Sequence, residues 1–193
     1  MMDKNLEKIL LNGETVLWHG ASAPFSLLDK RQKNGPKIMA QWIATAVITV
    51  GLLWAYLANN QPASPFFVGA VLLIAALVVT SPVLEWKNVQ AQQYVITDQR
   101  VLLVQHRSSV FSMQLNRIDD FRLVEDESPY PCLVIGTALY EDIGKQLRWR
   151  SCHPKSDLAS TEEDNLMGLV LYNLKDAADT AALLNRLLTS DAA

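Results

Sequence analysis

Charge is what the middle of this chain lacks. Between Lys37 and Glu85 there is no Asp, Glu, Lys, Arg or His, although Asp, Glu, Lys and Arg make up 19% of the sequence. Cysteine is scarce too: Cys132 and Cys152 are the only two, and neither sits in a CxxC pair. That argues against a zinc ribbon or a dithiol redox motif and reads as two reduced thiols. The three histidines, His19, His106 and His153, are scattered. Cys152 and His153 are adjacent, and neighbouring side chains diverge rather than share a metal. There is no glycine-rich phosphate loop and no nucleophile elbow. The acidic groups Asp119-Asp120 and Glu162-Glu163-Asp164 read as a strand start and a solvated loop, not as an acid–base pair. No catalytic, cofactor-binding or metal-binding residue is assigned, no cofactor is expected, and the chain is read as not an enzyme.

Half of the residues are hydrophobic, yet mean hydropathy is only +0.10, the mixture expected of a chain that is part membrane and part soluble. The net charge of −3 is unevenly divided. Residues 1–89 carry 7 Lys/Arg against 5 Asp/Glu, and residues 90–193 carry 10 against 15. The acidic second half is poorly suited to nucleic acid, whose phosphates require clustered Lys and Arg, and poorly suited to anionic lipid by charge alone.

Two apolar runs fill the charge-free stretch, Ile38–Leu57 and Phe66–Leu84. At 1.5 Å per residue each helix spans about 30 Å, a hydrocarbon core's thickness. The connector, residues 58–65 (ANNQPASP), is short and rich in turn formers, so the helices must be antiparallel neighbours. A signal peptide is a poor reading of the first run, which is long, begins after 37 residues and is followed by no cleavage motif. Lys30, Arg31, Lys33 and Lys37 precede the hairpin, Lys87 follows it, and the connector has no basic residue. The positive-inside rule then puts both chain ends in the cytoplasm, the topology of a multi-pass membrane protein. Gly51 and Ala55, four apart, are spaced for close helix approach. Gln41, one turn from the end of the first run, is read as solvated at the interface. The absence of ionisable groups in the spans argues against a transporter, proton relay or channel.

After the hairpin the pattern turns to short β-rich runs: 92–97 and 100–105 around the turn Thr97-Asp98-Gln99-Arg100, then 110–115, 118–125, 132–140, 145–151 and 166–173. In the sixth, Gln146, Arg148 and Arg150 share a face. A C-terminal helix follows, capped by Asn173 or Asp176, with the apolar stripe Ala177, Ala181, Leu184 and Leu188. The fold expected is a membrane α-helical hairpin plus a mainly-β soluble domain: a seven-stranded, bent antiparallel barrel or sandwich capped by a helix. The divisions are an N-terminal cytoplasmic segment 1–37, the hairpin 38–84 and the cytoplasmic domain 85–193.

Seven strands and a terminal helix form the order of the pleckstrin-homology (PH) fold, which this domain resembles. Two motifs sharpen the likeness. LLNGETVLWHG (10–20) is similar to the "Gly-Glu, then Leu-Trp-x-Gly" leader of bacterial PH-domain membrane proteins, and QYVITDQRVLLV (93–104) to their "Tyr-x-Ile-Thr-(Asp/Asn)-x-Arg" hairpin. PH-like photosynthetic-complex assembly proteins share a similar pattern. The resemblance implies a fold rather than a ligand, because the first hairpin lacks the basic cluster of phosphoinositide-binding PH domains. Asp98 and Arg100 are read mainly as residues that fix the hairpin turn. The expected role is an interaction module or scaffold at the cytoplasmic face, binding a protein partner or aiding assembly of a membrane complex, with self-association left open. The alternative is a lipid-sensing module in which Arg148, Arg150 and Arg100 contact the ligand; an enzyme with a dispersed site comes last.

Overall fold

The computed structural model describes residues 9–59, 62, 64–105, 109–125, 128–136 and 168–190. Its elements in chain order are strand β1 (Val16–Ala21), helices α1 (Gly35–Asn59) and α2 (Pro65–Gln90), and strands β2 (Gln93–Thr97), β3 (Arg100–Gln105) and β4 (Ser109–Gln114). A short 3-10 helix (Leu115–Arg117), β5 (Phe121–Val124), β6 (Cys132–Ile135), β7 (Leu169–Leu171) and helix α3 (Ala177–Ser190) complete them.

Both apolar runs are helices, and both are longer than the runs themselves. α1 starts at Gly35, whose N–H closes a turn onto the Gln32 carbonyl. α2 has Pro65 in its first turn, where a missing N–H costs nothing, and continues past Leu84 to Gln90. Lys87 in its last turn offsets the negative end of the helix dipole. Across the connector, the Ser64 N–H donates to the Tyr56 hydroxyl at 3.0 Å, and the Tyr56 and Phe67 rings lie 4.1 Å apart. Both helices are long and apolar enough to cross a membrane, and almost none of their most apolar stretches is buried within the chain. A surface that carries Val50, Trp54, Phe66, Leu73 and Leu77 exposed requires a cover of lipid or protein. Gly51 is on that outer surface; a Cβ there would meet nothing, so the Gly51–Ala55 spacing does not bring α1 and α2 together.

The β part forms two antiparallel sheets, β1-β2-β3-β4 and β5-β6-β7. Seven strands are described, but not the seven expected. β1 comes from the N-terminal segment and pairs with β2 from Trp18↔Ile96 to Ala21↔Gln93. The segment 1–37 is therefore not separate from the domain at 85–193: its strand is the edge of the domain's first sheet. The expected strand at 145–151 lies outside the described residues. Periodicity missed β1 because VLWHGA does not alternate: Leu17 is apolar yet faces out, and Gly20 on the half-buried face carries no side chain. β5 starts later than expected, at Phe121, because the Asp119 and Asp120 carboxylates accept the next residue's N–H, local bonds that compete with strand pairing at 119–120.

The main core lies between the sheets and α3: Tyr94, Ile96, Val101, Leu103, Phe111, Met113, Leu133, Ile135, Leu169, Leu171 and Leu184. The opposite face of the first sheet is also covered. Val95 and Leu102 are fully buried there, packed with Leu10, Val16 and Val110, so β2 is buried on both sides and shows no alternation. The expected stripe of α3 holds. Ala177 and Leu184 are buried, Ala181 and Leu188 half-buried against the core, and Asp179, Asn185 and Arg186 exposed. Asp176 precedes the helix and its carbonyl accepts the Thr180 N–H. Asn173 is instead a left-handed residue, φ 56°, a conformation that asparagine tolerates.

Candidate functional site

The two motifs of the leader and the first hairpin meet at one point. Gly13 turns the chain with φ 87°, and Glu14 then points into the β2–β3 turn. Its carboxylate takes Arg100 at both oxygens (Nε 2.9 Å, Nη2 3.1 Å), the Thr97 hydroxyl (2.8 Å) and the Leu11 N–H (2.7 Å). Asp98 completes the lock: its Oδ1 accepts the Thr15 N–H, and its own N–H donates to the Thr15 carbonyl. The Glu14 side chain is fully buried and that of Arg100 nearly so. Burial pushes the Glu14 carboxyl up, but the Arg100, Leu11 and Thr97 hydrogen bonds and the Arg100 charge outweigh it and hold the group below its ordinary 4.5. Farther along the leader, Trp18 Nε1 donates to Asp176 Oδ2 at 2.8 Å, and its indole lies over Gly20, where a Cβ would collide with the ring. The motif Leu-Trp-His-Gly is thus a tie between β1 and the start of α3. Arg100 is absorbed in this ion pair and the Ile9 carbonyl rather than offered on the surface. Arg148 and Arg150 lie outside the described residues.

A second constellation sits where the helices meet the β part. The residues between β1 and α1 form a strap of successive turns. Asn173 holds one end: its Nδ2 donates to the Ala23 carbonyl (2.7 Å), its carbonyl accepts the Ala23 N–H (2.9 Å), and its Oδ1 accepts the Tyr130 N–H. α2 holds the middle, because Trp86 Nε1 and Gln90 Nε2 both donate to the Phe25 carbonyl (2.8 and 2.9 Å). Phe25 stands edge-on to Tyr172, and Gln32 Nε2 donates to the Tyr172 hydroxyl at 3.1 Å.

One turn deeper, Pro82 lies inside α2. It has no N–H for the Val78 carbonyl and its ring crowds that turn. The deficit is met from α1: Gln41 Nε2 donates to the Val78 carbonyl (3.3 Å) and Trp42 Nε1 to the Val79 carbonyl (3.1 Å). In hydrocarbon an unsatisfied carbonyl costs several kcal/mol, so neighbouring side chains at a helix proline are a physical requirement. Gln41 is therefore an interhelical ligand of backbone, not simply a solvated interfacial residue. The sequence held the signal, a proline inside the second apolar run and a lone amide in the first, but only tertiary pairing shows that they meet.

Between these contacts lies a cavity of about 60 Å³. Lys37, Gln41, Ser81, Glu85 and Trp86 line it from the helices, Gln32 and Phe25 from the strap, and Tyr172 from the residue just after β7. It is too small for an ordinary soluble substrate, whose pockets run to about 300–1,000 Å³. Among the described residues no group of three or more His, Cys, Asp or Glu is placed to hold a metal ion. Asp119 and Asp120 serve as turn acceptors for the Asp120 and Phe121 N–H groups, and Cys132 is buried beside the Ser128 hydroxyl. His19 is exposed on β1. No family model, curated protein or solved structure matches this chain.

Proposed function

We propose that this chain is a membrane-anchored module with a PH-like domain at the cytoplasmic face of a bacterial inner membrane. Its role is non-enzymatic: it binds a protein partner or aids assembly of a membrane complex. One observation carries the reading. The helix hairpin is inserted between β1 and β2, two strands paired side by side, so the domain is attached to its anchor by two chain segments instead of one flexible tether. The strap, Trp86, Gln90 and Asn173 tighten the junction. An enzyme acting on soluble substrates has no need of such a fixed stance, whereas a surface that must meet a membrane-embedded partner at a set height and angle does. The basic residues on the flanks of the hairpin support the cytoplasmic placement.

Cross-linking in membranes, followed by affinity purification of the full chain, tests the proposal. The expected result is a stoichiometric protein partner cross-linked to the β domain and absent from a control carrying only residues 34–91. Recovery of lipid without protein would move the reading to the lipid-sensing alternative.

A further inference from the structure

Three observations converge on the cavity at the base of the helix pair. The first is charge. Lys37 and Glu85 are the ionisable residues that bound the charge-free stretch, and both line the cavity. In a hairpin that crosses a bilayer, this places a cation and an anion together at headgroup depth. The Lys37 ammonium has no ion-pair partner among the described residues. Glu85 is not without partners, but a carboxylate accepts up to about four hydrogen bonds.

The second is an orphaned acceptor. Gln32 is 5% exposed and spends its Nε2 on the Tyr172 hydroxyl, while its Oε1 has no partner among the described residues. Buried amide oxygens are almost always met by a donor, so the cavity calls for one. The third is size and lining. About 60 Å³ takes roughly four waters or one phosphate- or ammonium-sized group. The walls are polar at Gln32, Lys37 and Glu85 and apolar at Ile38 and Pro82.

We propose that this cavity binds the headgroup of an aminophospholipid of the phosphoethanolamine type. The primary ammonium occupies the cavity and donates to Gln32 Oε1 and Glu85, while the phosphate stays outside at its rim, paired with the exposed Lys37 near the N-terminal end of α1. The acyl chains then lie along the exposed apolar faces of the helices. Phosphocholine fits the same space worse, since its trimethylated nitrogen has no N–H to give. The inference rests on the reading of the hairpin as membrane-spanning and adds to it a lipid that seats the domain against the bilayer.

The full chain, purified in mild detergent and titrated with lipids of matched acyl chains, is to be followed by native mass spectrometry. Phosphatidylethanolamine should be retained at least about tenfold better than phosphatidylcholine, the equivalent of one strong hydrogen-bonding difference. Lys37→Ala, an exposed position that leaves the melting temperature unchanged, should weaken retention of phosphatidylethanolamine and of phosphatidylglycerol about tenfold. Glu85→Gln should weaken the first and spare the second. Glycerophosphoethanolamine, which lacks acyl chains, should compete at least about a hundredfold more weakly than the lipid. Competition as strong as the lipid's would make the ligand a soluble phosphoamine and overturn the lipid assignment. Equal retention of ethanolamine and choline lipids, or no effect of Lys37→Ala, means a cavity filled by water and overturns the proposal. Alkaline carbonate washing separates this failure from that of the anchor. A chain released from membranes refutes the spanning reading, whereas one that stays without lipid preference refutes only the headgroup site.

Discussion

Glu14 and Arg100 are 86 residues apart in sequence and joined by two hydrogen bonds in the fold. Removing one member of a buried, hydrogen-bonded ion pair strands the other, at about 3–5 kcal/mol. Arg100→Leu is expected to lower the thermal midpoint of the β domain sharply, followed by circular dichroism in detergent. Glu14→Gln, which keeps the shape and loses the charge, should cost less. The pair also sets a pH response. The folded Glu14 carboxyl lies below its ordinary 4.5, so the folded state binds its proton less readily than the unfolded chain. Its stabilisation is complete above the ordinary value and drains away as pH falls through that value towards the folded pKa. Melting curves from pH 7 to 3 should show an acid-dependent loss that is smaller in Glu14→Gln; identical pH slopes would mean that the pair does not govern it.

At the scale of elements, the helix pair is held by a repair as much as by packing. Pro82 leaves the Val78 carbonyl without a backbone donor, and Gln41 supplies one from the facing helix. Interhelical hydrogen bonds of this kind are worth about 0.6–2 kcal/mol in membranes. Gln41→Leu is expected to destabilise the hairpin by that amount in the native background. It should be close to neutral with Pro82→Ala, where residue 82 regains its N–H. A double-mutant cycle by steric trapping or unfolding in micelles measures the coupling, and additive effects would contradict the pairing. α3 provides a second contrast. Leu184 is fully buried against the core and Asn185 is exposed. Leu184→Asp should open the domain to limited proteolysis, since loss of the leucine alone costs about 2–5 kcal/mol before the charge is counted. Asn185→Asp should be near neutral.

For the whole molecule, the decisive feature is that the helix pair is inserted between two paired strands, β1 and β2. A fragment that begins at Gln90 lacks β1, Glu14 and Trp18. It leaves one edge of β2 open, Arg100 unpaired from Glu14, and the cover over Val95 depleted of Leu10 and Val16. Such a fragment is expected to aggregate or remain partly unfolded. Because Ala21 pairs with Gln93, residues 9–21 joined to 93–193 through a short Gly-rich turn should restore a soluble domain with dispersed NMR amide signals. If the fragment from Gln90 folds equally well, β1 is dispensable. Topology is tested in the intact chain, where a reporter at Ala193 should behave as cytoplasmic and one near Gln61 as external.

Some of this was decided by composition and local pattern alone. Forty-seven consecutive residues without charge, from 38 to 84, specify two long apolar helices because each apolar run is about a bilayer long and a short connector of turn formers separates them. The strands at 93–105 and the stripe of α3 were equally legible, since periods of two and of 3.6 are local properties. What the sequence could not place is what depends on partners distant along the chain. β1 is recognisable only by its pairing with β2, Arg100 is a buried partner of Glu14 rather than a surface ligand, and Gln41 acquires its role from Pro82 on the other helix. The cavity is the extreme case: its lining comes from the strap, two helices and the segment just after β7. Hydrophobicity is additive along a chain and can be read from it, whereas the satisfaction of a buried polar group is a relation between two places, which only the folded structure brings together.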